Sequence, residues 1–112
     1  MKIQQEHVIQ SVCNALQYIS YYHAPDFIRS MTHAYEKETH QSAKNAIAQI
    51  LINSKMSALG QRPMCQDTGI VNVFVEVGMD VTWEAELSLE DMINEGVRQA
   101  YTSSDNPLRA SI

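Results

Sequence analysis

A chain of 112 residues with 45% hydrophobic content can bury one modest core, so one domain or part of one is expected. Its net charge of -5, with no run of Lys or Arg, argues against nucleic acid, whose phosphates would be repelled. The sequence holds neither a basic start followed by an apolar run nor a stretch of about eighteen apolar residues, so a signal peptide and a membrane span are not expected.

In chain order, Val8, Val12, Leu16 and Ile19 fall at helical spacing and predict an amphipathic helix over residues 3–22. Pro25 suits the first turn of a second helix, which runs to about Lys37 with Phe27, Met31, Ala34 and Tyr35 inward. Thr39 or Ser42 caps a third helix, with Ala43, Ala46, Ile47, Ile50, Leu51 and Met56 on one side and Gly60 as its stop. Residues 70–77 are β-branched or aromatic at nearly every position. They predict a strand with Val71, Val73, Val75 and Val77 on one face, buried mainly on that side. Gly78-Met79-Asp80 reads as a turn, and residues 81–84 as a short second strand. Ser88 then caps a fourth helix lined by Leu89, Met92, Ile93, Val97 and Tyr101, with Asp91 completing a weaker form of the capping box. The class is α+β: helix-rich, about four helices, with a small β-sheet.

The chemistry concentrates between the third helix and the first strand, in Arg62-Pro63-Met64-Cys65-Gln66-Asp67-Thr68-Gly69. A thiol, an amide, a carboxylate and a hydroxyl stand in a row on a loop, the usual place for groups that rigid elements hold accessible. A free Cys is often a small buried hydrophobe, and Cys13, beside Val12 and Leu16, reads that way. Cys65 instead lies in a polar loop near Arg62, which favours thiolate, the form that binds metal or attacks electrophiles. Two cysteines make no disulfide framework and suit a reducing cytoplasm. There is no C-x-x-C or H-E-x-x-H, and His7, His23, His33 and His40 lack ligand spacing. If Cys65 binds a metal, its co-ligands come from outside this chain.

Asp67-Thr68-Gly69 matches the aspartic-protease triplet, but that enzyme needs an almost all-β chain, and three helices precede this Asp. The plain alternative is a turn carboxylate, with Gly69 supplying a positive φ. Arg109, in Asn106-Pro107-Leu108-Arg109-Ala110-Ser111, has the fork geometry for a carboxylate; its plain alternative is an exposed surface arginine. Tyr18, Tyr21 and Tyr22 read as packing at the junction of the first two helices. The acidic pairs Glu36/Glu38, Glu84/Glu86 and Glu90/Asp91 read as solvated faces or a helix N-terminus.

Pro63-Met64-Cys65-Gln66-Asp67-Thr68-Gly69 with its Val-rich continuation resembles the N-terminal part of class I fumarate hydratases, oxygen-sensitive iron-sulfur hydro-lyases related to tartrate dehydratase α subunits. Glu95-Gly96-Val97-Arg98-Gln99-Ala100-Tyr101 and the run from Asn106 to Ser111 resemble that family too. The resemblance implies that residues 1–112 are the N-terminal portion of a larger fumarase-type catalytic domain. It implies a [4Fe-4S] cluster held by three thiolates, of which this chain offers only Cys65. Gln66 and Asp67 would touch the substrate, and Arg109 would clamp a carboxylate. The general base would be Asp67 or a residue outside this chain. The implied reaction is reversible hydration of fumarate to L-malate, a tricarboxylic acid cycle step, by a cytoplasmic enzyme that is usually dimeric. Tartrate dehydration is the near alternative. The fragment alone would be inactive, its partners being the dicarboxylate, the rest of the enzyme and a second subunit. The reading from a different class is a small non-catalytic helical interaction module, with Cys65 inert and Asp67 a turn residue.

Overall fold

The computed structural model of the protein describes residues 1–65, 69–104 and 108. The elements run β1 (Lys2–Gln4), α1 (Gln5–Tyr21), α2 (Pro25–Lys37), α3 (Gln41–Gly60), β2 (Thr82–Glu84) and α4 (Leu89–Thr102). They divide into two compact units, Met1–Gln17 with Asp67–Ile112, and Tyr18–Gln66. Among the described residues the architecture is helix-rich with one two-stranded sheet.

In the first unit, β1 and β2 pair in parallel, with Lys2 opposite Thr82, Ile3 opposite Trp83 and Gln4 opposite Glu84. The expected helix over residues 3–22 is therefore corrected at its start, where the first residues join a ladder. Thr82 N–H donates to Met1 C=O at 2.8 Å, and the Met1 ammonium donates to Asp80 C=O at 2.9 Å. Gln5 closes the junction, its Oε1 accepting from the backbone N–H of Glu86 and of Leu87, each at 3.0 Å. Helical spacing in α1 had no means of announcing a strand pairing across some eighty residues. The expected second strand does form, as β2, and Val81 N–H to Gly78 C=O closes the expected turn.

Residues 70–77 give the larger correction. They carry no strand, and Ile70 is 88% and Phe74 96% exposed. β-propensity describes fitness for a pleated surface, and a strand exists only where a neighbour supplies its ladder. β2 pairs with β1 instead.

Helix α4 is built as its sequence dictates. Ser88 Oγ accepts from Asp91 N–H at 3.1 Å and donates to the Asp91 carboxylate at 2.7 Å, closing the cap. Met92, Gly96 and Ala100 recur every fourth residue and are buried, as are Ile9 and Cys13 of α1. A Cβ built on Gly96 would lie 2.7 Å from the Ile9 carbonyl oxygen and 2.7 Å from Val12 Cβ. The helices meet at backbone distance there.

In the second unit, α2 begins with Pro25 in its first turn and ends at Lys37. It buries no residue fully: Phe27 and Tyr35 are partly exposed and Ala34 is exposed, so the expected inward face is only half covered. Lys44 of α3 places its ammonium 4.7 Å from the Tyr35 ring centre. His40, not Thr39 or Ser42, precedes α3, and no side chain caps it. Gly60 is its last helical residue, and Gln61 takes the left-handed turn with φ 49°. A non-glycine residue there carries strain. Gln61→Gly is expected to raise stability by about 0.5–1 kcal/mol, less whatever chain entropy glycine adds to the unfolded state. A urea titration of both chains measures it.

Candidate functional site

The loop bearing the chemistry leaves α3 under tight control. Arg62 N–H donates to Ser57 C=O at 3.2 Å, a closure that satisfies an orphan helix carbonyl. The Ser57 hydroxyl also donates to Arg62 C=O. Ser57 is buried, as is Ser54 one turn earlier, whose Oγ lies 2.7 Å from His23 Nδ1. Two serines, rather than the expected isoleucines, leucine and methionine, are the buried residues of α3. Helical periodicity searches for apolar stripes and passed over them. The signal was present as small polar residues spaced by three inside an apolar run.

Two residues further on, Met64 lines a cavity of about 740 Å³ with Tyr18, Tyr22, Phe27 and Ile50. The tyrosine cluster is real: Tyr22 lies 4.6 Å from Tyr18 and 4.8 Å from Tyr21, ring centre to ring centre. Arg62 and Met64 therefore anchor the backbone, and Cys65 follows as an exposed thiol in no disulfide. That is the accessibility a ligand or nucleophile requires. Cys13, by contrast, is buried in α1, and burial pushes its thiol above the ordinary cysteine value, so its ionisation is disfavoured.

Gln66, Asp67 and Arg109, the other candidate site residues, lie outside the described residues. Gly69, two residues after Asp67, has φ 64°, the left-handed value that only glycine adopts freely and that the turn reading required.

Among the described residues, no group of three or more His, Cys, Asp or Glu is placed to hold a metal ion. His23 is engaged with Ser54, and His40 Nδ1 with Ser42 Oγ at 2.8 Å. The donor chemistry of Cys65 thus fits one thiolate ligand of an iron-sulfur cluster, and the described part of the chain does not supply the rest.

Arg98 is no free substrate clamp. It holds Glu95 through two hydrogen bonds, Nε to Oε2 at 2.7 Å and Nη2 to Oε1 at 2.6 Å, and Gln99 adds a third at 2.9 Å. Hydrogen bonds from Arg98 and then Gln99 lower the Glu95 carboxyl to about 2. A carboxyl depressed in the folded state stabilises the fold above its ordinary value of 4.5, and that contribution is lost as pH falls from there toward about 2. Acidification should therefore lower the melting temperature of the native chain more steeply than that of Glu95→Gln. Parallel curves would show that the triad contributes nothing to stability.

Comparison with known proteins gives two findings. A family model described as fumarate hydratase (Fumerase) matches residues 9–112. The chain is also 32% identical over 87 residues to the "Putative L(+)-tartrate dehydratase subunit alpha" of Methanocaldococcus jannaschii, covering 78% of this chain and 30% of that relative. No solved structure matches the chain.

Proposed function

The chain belongs to the fumarate hydratase (Fumerase) family, and on that premise we propose that it is the N-terminal portion of the catalytic domain of an iron-sulfur hydro-lyase. The reaction is reversible hydration of fumarate to L-malate, in the cytoplasm, by an enzyme that pairs two subunits. The observation that carries this reading is the exposed Cys65 thiol, held on a loop pinned at Arg62 within a sequence that the family model spans.

Cys65, as thiolate, would be one ligand of a [4Fe-4S] cluster, with the remaining ligands coming from outside this chain. When bound, that cluster would supply a Lewis acid for the departing hydroxyl of the substrate. Arg109 clamps a carboxylate of the diacid through its two-pronged guanidinium. The Gln66 amide orients the bound diacid beside Asp67. Asp67 takes the C3 proton as hydroxide leaves C2 in dehydration, and returns it to C3 in hydration.

A second reading has one specific observation behind it, the name of the relative: the same site would dehydrate tartrate. L-malate and tartrate both present paired carboxylates and a 2-hydroxyl to the site, and turnover of each by the iron-loaded complete enzyme separates the two. Asp67→Asn should lower turnover by about a hundredfold or more if the carboxylate moves the proton. Arg109→Ala should raise KM while leaving the visible spectrum intact. An unaltered KM would remove Arg109 from the substrate site, and no turnover of either acid would defeat the hydro-lyase reading.

A further inference from the structure

Residues 70–77, Ile-Val-Asn-Val-Phe-Val-Glu-Val, form the most β-favouring run in the chain, yet no strand forms there. Among the described residues, no backbone hydrogen bond reaches any of them. The alternating sets differ in cover. Val71 and Val73 line a cavity of about 510 Å³ with Leu89, Ile93 and Val97 of α4, so the first half of the valine side faces a helix, while Val75 and Val77 stay about half exposed. Ile70 and Phe74, of the other set, are almost wholly exposed.

Sequence chemistry says that this exposure is not the segment's working state. Strands that stay at a sheet edge are protected by Lys, Pro, bulges or inward charge. This one has a single charge, Glu76, and no proline. Near-continuous Val, Ile and Phe is the composition of strands covered on both faces. An uncovered run of this kind is also an invitation to aggregate.

We propose that residues 70–77 are an interior β-strand whose ladder is completed by a strand of polypeptide outside these 112 residues, in the part of the family fold that the chain does not span. That part is large, because the chain covers 30% of the length of its Methanocaldococcus relative. The partner is thus an extended, uncharged polypeptide segment from the same catalytic domain, with apolar side chains to lie over Ile70 and Phe74. Pairing also fixes the strand end of the loop that carries Asp67, so the proposal builds on the hydro-lyase reading while standing on different observations.

Amide hydrogen exchange tests it, on the 112-residue chain alone and on a chimera in which the chain replaces the matched region of the Methanocaldococcus relative. The unmatched part of that relative is also added in trans as a separate polypeptide, so that a chimera that fails to fold still leaves a reading. Residues 70–77 should exchange freely in the chain alone and slow by about a thousandfold in the chimera or with the added polypeptide, as ladder amides in a cooperative unit do. Phe74→Asp should leave the melting of the isolated chain unchanged and abolish the gained protection. Free exchange persisting with the added part would overturn the proposal. Protection already present in the chain alone and growing with its concentration would also overturn it, assigning the strand to a second copy. Neither arm uses iron or substrate, so an absence of turnover would defeat the hydro-lyase reading and leave strand pairing standing.

Discussion

Gly96→Val is expected to destabilise the unit that α1 and α4 build by about 1–3 kcal/mol, lowering its melting temperature sharply. The added Cβ would sit 2.7 Å from the Ile9 carbonyl oxygen, 2.7 Å from Val12 Cβ and 3.0 Å from Val12 Cγ1. A flexible side-chain tip could swing away, but a backbone carbonyl cannot move without its helix. Separating the helices would loosen Met92, Ala100, Ile9 and Cys13, which are the buried apolar residues among those described. Overpacking of a core costs about 1–3 kcal/mol, and valine adds two methyl groups to a Cβ that already clashes. Against a total stability of roughly 5–15 kcal/mol for an ordinary domain, that is a severe loss. Gly96→Ala separates the competing effects. Alanine gains about 1 kcal/mol in helix propensity, so a stabilised alanine variant would show that α1 and α4 leave room for a Cβ at this position. Circular dichroism melts of the three chains decide the matter.

The second large effect is chemical. In the complete enzyme made without oxygen, Cys65→Ser should bleach the visible absorption, drop the iron content and remove turnover. It should leave the melting of the chain almost untouched, because the thiol is exposed and makes no disulfide. Cys13→Ser should do the reverse. It would keep colour and iron while losing about 1–3 kcal/mol of stability, since a hydroxyl replaces a thiol in a buried position. Iron analysis alongside a melt reads both variants. Full colour in Cys65→Ser would remove this residue from any cluster, and with it the chain's part in the proposed chemistry.

The elements that were legible in the sequence are those that local chemistry closes. Pro25 and Lys37 bound α2, and Ser88 with Asp91 opens α4, because each of these signals acts within a turn of its own helix. Pairing information was not legible. Lys2–Gln4 became a strand only because Thr82–Glu84 lies beside it, and residues 70–77 stayed single because no described segment does. The α3 terminus fell at Gly60 as read, although the left-handed turn after it is taken by Gln61 and not by a glycine. At the candidate site, the sequence identified the thiol but missed Ser57, the residue that clamps the approach to it. Its hydrogen bond runs to a backbone carbonyl, so the only mark in the sequence is a small polar residue three after Ser54 inside an apolar run.

The split of the first unit into two distant stretches has a consequence for synthesis on the ribosome. Residues 18–66 are contiguous and can collapse as soon as they leave the exit tunnel. The opening helix reaches its native packing only when Gly96 and its neighbours emerge, because α4 lies against Ile9 and Val12 there. Closing so long a loop makes this the slow step, and nascent chains halted before residue 96 should be the ones that chaperones hold.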